Sequence, residues 1–369
     1  MFKVRVVVLA LIVSLVSCKE EDKKTSKTSN NLLAMVQRDD QYGYINTAGE
    51  FIIKPQYPLA RTFSNGLACI NVGGSRNNPL VQGVVGGKYH FINTENEIQL
   101  NNFSSTSPTN FYNDVAFLTA NDGSKELLNK KGEVIATGFS VLGNCEDGLI
   151  PAVKESEKKL GFIDTKGNWK IELPYKYFIG PYSEGLSAFT DTDTKLSGFF
   201  DKSGAIAIAP TYTSVSNFKD GLARVKTGTT YFFIAHDNKK AFERSFEFAG
   251  DFNEGLCAVQ QIGKWGFINK KGELIIDFTD YVGVREFSNG LAAFKQKNGK
   301  VGYMDMTGKV IIEPLFDNGL NFKNGFAINE QNGKMGFINT TGKIVIEPKY
   351  TRVGDFVNPD DSNPVFKEN

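Results

Sequence analysis

A glycine-marked element returns about every 35 residues along this chain, and no other feature constrains its fold as strongly. The clearest copy is Trp265-Gly266-Phe267-Ile268-Asn269-Lys270-Lys271-Gly272. Others are Tyr42-Gly43-Tyr44-Ile45-Asn46, Leu160-Gly161-Phe162-Ile163-Asp164, Ser197-Gly198-Phe199-Phe200-Asp201, Val301-Gly302-Tyr303-Met304-Asp305 and Met335-Gly336-Phe337-Ile338-Asn339. His90, Glu126 and Phe232 stand where the glycine should be in three degenerate copies. The markers fall at 43, 90, 126, 161, 198, 232, 266, 302 and 336, with spacings of 47, 36, 35, 37, 34, 34, 36 and 34. Such a period belongs to solenoids, propellers or arrays, in which neighbouring repeats complete one another's core.

Two further elements share the period. One reads Phe-x-x-Gly-Leu-Ala, as at Phe63–Ala68, Tyr182–Ser187, Phe218–Ala223, Phe252–Cys257, Phe287–Ala292 and Phe322–Ala327, with weaker copies from Phe111 and Cys145. The other follows the marker, as in Ile52-Ile53-Lys54-Pro55, Ile311-Ile312-Glu313-Pro314 and Val345-Ile346-Glu347-Pro348. Leu291 to Phe294 is a short apolar run after a turn glycine, hence a strand. Asn298-Gly299 is a hairpin turn, Val301 to Asp305 a second strand, and Gly308 closes the next hairpin. Val310 to Ile312 is a third strand, which Pro314 ends because proline lacks a ladder donor. Each repeat therefore reads as a three-stranded antiparallel meander plus a connector carrying an aromatic residue. Gly302 lies inside a strand, where a missing side chain admits a close neighbour, and the connector phenylalanine is expected there.

One meander cannot bury its apolar face alone, so the repeats stack. The fold class is all-β, as either a propeller-like ring or an open superhelical array. Leu32 to Val36 and Pro364 to Lys367 both read as first strands. That duplication at the two ends favours a capped open array.

Residues 1–17 form a leader: Lys3 and Arg5 precede an apolar stretch of 11 residues, Val6 to Val16. A bilayer span needs roughly 20. Leu15-Val16-Ser17-Cys18 resembles the lipobox of bacterial lipoproteins, which makes Cys18 the lipidated residue and the mature N-terminus. Residues 18–31 then form a flexible polar tether, and 32–369 the repeat domain. Lys19-Glu20-Glu21-Asp22 resembles a surface-export signal of Gram-negative lipoproteins. The expected location is the cell envelope, anchored to the outer membrane.

Net charge is +1, falling to −1 once Lys3 and Arg5 leave with the leader. That balance provides no single-sign field for nucleic acid. Of the 4 cysteines, Cys69, Cys145 and Cys257 remain beside Cys18, an odd set that cannot all pair within the chain. They sit at strand or connector positions and read as small core residues.

The run 265–273, with the Phe-x-x-Gly-Leu and Ile-Ile-x-Pro elements, resembles the WG-containing repeat family of bacterial proteins. The resemblance covers most of 32–350 and implies an extracytoplasmic β-repeat protein with no common catalytic residues. The signature tryptophan survives only as Trp265 among the six clear copies, so its site reads as a packing position.

No catalytic constellation stands out. His90 and His236 have no partner motif, and no Cys-x-x-Cys is present. Asp191-Thr192-Asp193-Thr194-Lys195 is too poor in ligands for a calcium loop. The Asp and Asn of the marker turns read as turn caps. The chain is therefore expected to be non-catalytic, without cofactor or metal. An insertion of roughly 73–88, rich in glycine, marks a candidate interaction loop: Gly73, Gly74, Ser75, Arg76, Asn77 and Asn78, with Tyr89 and His90 behind it. Insertions of repeat proteins often lie on the binding face. The resulting expectation is a monomeric envelope lipoprotein. It is held to the membrane by its N-terminal lipid and presents a repeat surface to an envelope protein or, alternatively, a polysaccharide.

Overall fold

The computed structural model describes residues 31–76, 84–103 and 108–362. Cys18 and the expected leader lie outside those residues, as do Asn77, Asn78 and Pro364 to Lys367.

Nine small antiparallel sheets, seven of four strands and two of three, follow one another along the chain as blades. Blade eight is representative. Its strands lie in the order Gly283–Val284, Leu291–Lys295, Val301–Asp305 and Val310–Phe316. The last three are the meander read from the sequence. The first is two residues of connector, Gly283 and Val284, paired with Lys295 and Phe294. The marker hairpins form as the turn residues require. Asp305 Oδ1 accepts from the backbone N–H of Thr307 and Lys309, at 2.9 and 3.1 Å.

The ends of the chain meet. Blade one is Leu33–Arg38, Gln41–Asn46 and Phe51–Tyr57, and its fourth strand is Arg352–Val353 from the C-terminus. Val36 pairs with Val353 and Gln37 with Arg352. Leu33 and Val357 exchange two backbone hydrogen bonds of 2.9 and 3.0 Å. The array is therefore a closed nine-bladed propeller, the ring of the two arrangements the sequence allowed, although the duplicated first strands had pointed slightly to the other. The split repeat divides between connector and meander, and the connector strand is too short to register in the sequence as a strand. Beyond it the chain runs on under the next two blades. Pro359 and Asp361 carbonyls accept from Gly66 and Asn65, at 2.7 and 2.8 Å, and Ser362 O from Asn113 at 2.9 Å.

The aromatic residue after each marker glycine packs on the connector aromatic of the following blade. Ring centroids are 4.6 Å apart for Tyr44 and Phe63, 5.0 Å for Tyr303 and Phe322, and 4.5 Å for Phe337 and Phe356. Eight of the nine junctions between blades carry such a clasp. At the ninth, Leu127 and Cys145 share one buried cluster instead.

This arrangement corrects the second expectation about Gly302. Its two nearest neighbours are backbone atoms of the third strand, and the Phe294 ring of the same blade follows at 3.0 Å. A Cβ there would stand 2.6 Å from Ile312 O and 2.9 Å from Pro314 N. The third strand bulges toward the glycine, spending Ile312 to Phe316 against Tyr303 to Val301. In blade two Leu100 to Phe103 opposes Phe91 to Tyr89, a smaller bulge than that at Gly302, and His90 stands in the glycine's place. Gly302→Ala should accordingly cost about 1–3 kcal/mol, whereas His90→Ala should stay within about 1 kcal/mol. Chemical denaturation of the two variants measures the difference.

Candidate functional site

The predicted interaction loop is built around a buried amide. Asn71 is fully enclosed, donates from Nδ2 to Gly86 O at 3.2 Å, and accepts at Oδ1 from Gly74 N at 3.1 Å. Ser75 and Val85 pair as a bridge. Arg76 leaves the loop and lies over blade one. Its guanidinium is 4.9 Å from the Tyr42 ring centroid, and Nη2 donates to Tyr42 Oη at 3.1 Å. Gly73, Gly74, Ser75 and Arg76 thus form one ordered base. Tyr89 and His90 do not join it as surface groups. Tyr89 is buried against Leu67, Phe91 and Phe111. His90 sits in the strand opposite Ile70, with burial holding its imidazole below the usual range.

A second site went unread in the sequence. In an antiparallel blade the Phe-x-x-Gly turns and the marker hairpins fall at one end, and the other connections fall at the opposite end. At the first end, residues flanking the connector aromatics of five consecutive blades line one cavity of about 370 Å³. Five blades of a ring can share a cavity only where they converge, on the axis. Lys219 Nζ approaches Glu286 Oε2 at 3.8 Å, and Asn321 Nδ2 donates to Glu286 Oε1 at 3.2 Å. Asn321 Oδ1 is buried and receives no hydrogen bond among the described residues. Burial raises the Asp355 carboxyl above its ordinary range and lowers the Lys323 ammonium. The available signal was a polar residue directly before the connector aromatic in three blades, Glu286, Asn321 and Asp355, and directly after it in two, Lys219 and Asn253.

The WG-containing repeat family matches this chain in seven segments: 42–75, 161–191, 198–231, 231–265, 265–300, 302–334 and 335–359. The chain belongs to this family. The matched segments omit 76–160, which holds two of the three degenerate markers, His90 and Glu126, while the third, Phe232, lies within a match. No curated protein matches the WG-repeat chain. Among solved structures, a eukaryotic initiation factor aligns at TM-score 0.61 and 10% identity, covering 91% of this chain and all of its own. The computationally designed Ika8 protein aligns at TM-score 0.42 and 10% identity, over 75% of this chain and 94% of that one. AztD of Citrobacter koseri gives 0.40 and 12%, over 87% and 97%. The first likeness supports the ring-shaped repeat fold and nothing of its chemistry.

Elsewhere on the WG propeller the reactive groups are occupied. Among the described residues no group of three or more His, Cys, Asp or Glu is arranged to hold a metal. Burial pushes the Cys69 thiol up to about 12 and Cys145 to about 11, and raises Cys257 as well. Such thiols carry little thiolate. Asp191 caps its own turn, accepting from Asp193 N at 2.8 Å and Thr194 N at 3.2 Å, and Lys176 Nζ stands 3.0 Å from it. At the end opposite the axial cavity, an apolar groove of about 560 Å³ is lined by Val141, Pro151, Tyr175 and Phe178 among others.

Proposed function

We propose that this chain is a non-catalytic lipoprotein of the cell envelope, anchored through Cys18, whose WG propeller presents one face to a protein partner. That face is the end opposite the axial cavity, which holds the apolar groove and the hairpins joining the first two meander strands. One observation carries the reading. Ile262 stands at the tip of such a hairpin with φ of +51° and 81% of its surface exposed. A β-branched residue in the left-handed region is strained, and an exposed isoleucine gains nothing from burial to offset that cost. The equivalent tip in blade nine is Asn332-Gly333, the residues such a turn prefers. Phe178 and Leu315 add large apolar side chains at the same end, 71% and 66% exposed.

Ile262→Asn should therefore stabilise the free protein by about 1 kcal/mol in thermal unfolding. In the same variant, crosslinked pull-down from intact cells should lose the envelope protein recovered with the unaltered chain. Cys18→Ala should lose it too, through loss of the anchor. Recovery of no protein by the unaltered chain would end the reading, as would full recovery by Ile262→Asn. A polysaccharide is the second reading at this face, because Tyr175 and Phe178 line the groove with 44% and 71% of their surfaces exposed, although Tyr44, Tyr182, Tyr303 and Tyr350 are fully buried elsewhere.

A further inference from the structure

The axial cavity contains two unmet chemical demands of opposite kind. Arg285 lines it and makes no side-chain hydrogen bond or ion pair among the described residues. Asn321 Oδ1, on the neighbouring blade, is a buried acceptor without a donor. The other charges in the lining answer one another. Lys219 faces Glu286 at 3.8 Å, and Lys323 lies within electrostatic reach of Asp355. Glu286 also accepts from Asn321 Nδ2 at 3.2 Å.

A guanidinium without a partner is matched by a carboxylate, which it can hold through two parallel N–H···O bonds. An amide oxygen without a donor is matched by a hydroxyl. The cavity, about 370 Å³, has the volume of small-molecule sites. Leu320 adds an apolar stretch of wall suited to ring C–H groups.

We infer that the axial cavity is a binding site for a small carboxylated, hydroxyl-rich molecule, an acidic sugar, with Arg285 holding the carboxylate and Asn321 accepting from a hydroxyl. A free amino acid fits less well, because both carboxylates of the lining already face lysines and leave none for its ammonium group. The site is separate from the face proposed for a protein partner, and its failure would leave that proposal standing.

The test is calorimetric titration of the full-length chain in detergent with D-glucuronate, D-glucose and L-glutamate. Glucuronate should bind, and glucose, lacking the carboxylate, should bind at least about 10-fold more weakly. Arg285→Met should weaken glucuronate binding by a similar factor, with Arg285→Lys intermediate. Thermal unfolding of both variants beside the unaltered chain shows whether the fold is kept. No heat with glucuronate would overturn the assignment. So would equal binding of glucose, tighter binding of glutamate, or unchanged binding by a folded Arg285→Met.

Discussion

A chain ending at Tyr350 is expected to lose at least about 5 kcal/mol of stability and its single cooperative unfolding transition. The truncation removes three layers of closure at once. It takes the Arg352–Val353 strand from the inner edge of blade one, exposing the edge of Leu33–Arg38. It removes Phe356, fully buried against Phe337 and Phe326 with centroids 4.5 and 4.9 Å away. It also removes the segment whose carbonyls accept from Asn65, Gly66 and Asn113. Loss of the aromatic alone is worth about 3–5 kcal/mol. Guanidinium unfolding followed by both fluorescence and circular dichroism reads the result, and a truncated chain of unchanged midpoint would contradict it.

The aromatic clasps within the ring give the second large effect. Phe322→Ala should destabilise by about 3–5 kcal/mol, because Phe322 is buried between blades eight and nine. Its partner Tyr303 is fixed by a hydrogen bond from Oη to Leu320 O at 2.9 Å, so the cavity left behind cannot readily collapse. A double-mutant cycle with Tyr303→Leu should return a coupling of about 0.5–1.5 kcal/mol, the range of specific aromatic pairs. Zero coupling would mean that the two rings fill space independently. The junction of Leu127 and Cys145 already lacks the aromatic pair, and Cys145→Ala should cost less than Phe322→Ala.

What the sequence made legible follows from where repetition acts. The nine markers and the three meander strands sit in positions that every blade must fill alike, so their spacing located every sheet. The capping Asp and Asn residues were readable for the same reason, since Asp201, Asp305 and Asn339 each hold the same turn. Ring closure was not readable. The strand that closes it is only two residues long, Arg352 and Val353, and its pairing is set by how blades pack around an axis and not by any local preference. The glycine was recognised as a close-approach site, but its neighbour was misassigned. A bulge of the third strand reaches Gly302, and Phe322 packs on Tyr303 beside it. The loop at Gly73 to Arg76 could be located by its length alone, yet the attachment of Arg76 to Tyr42 crosses between blades. The meeting of Arg285 with Asn321 was unreadable for a related reason. Each is unremarkable in its own repeat, and only convergence on the axis brings them into one cavity.

Disulfide trapping across the closing junction tests the closed nine-bladed ring most directly. Gln37 and Arg352 are directly opposed in the strand pair that joins the two ends of the chain. In the double variant Gln37→Cys, Arg352→Cys, mild oxidation should form a bond between those two positions within the monomer, identified by mass spectrometry of its peptides. Cys69, Cys145 and Cys257 are buried and should not compete. Opposed residues of an antiparallel pair lie within the separation a disulfide tolerates. The closed propeller predicts near-complete formation of this intramolecular bond. A monomer in which it fails to form, or linkage only between chains, would contradict closure and return the fold to an open array.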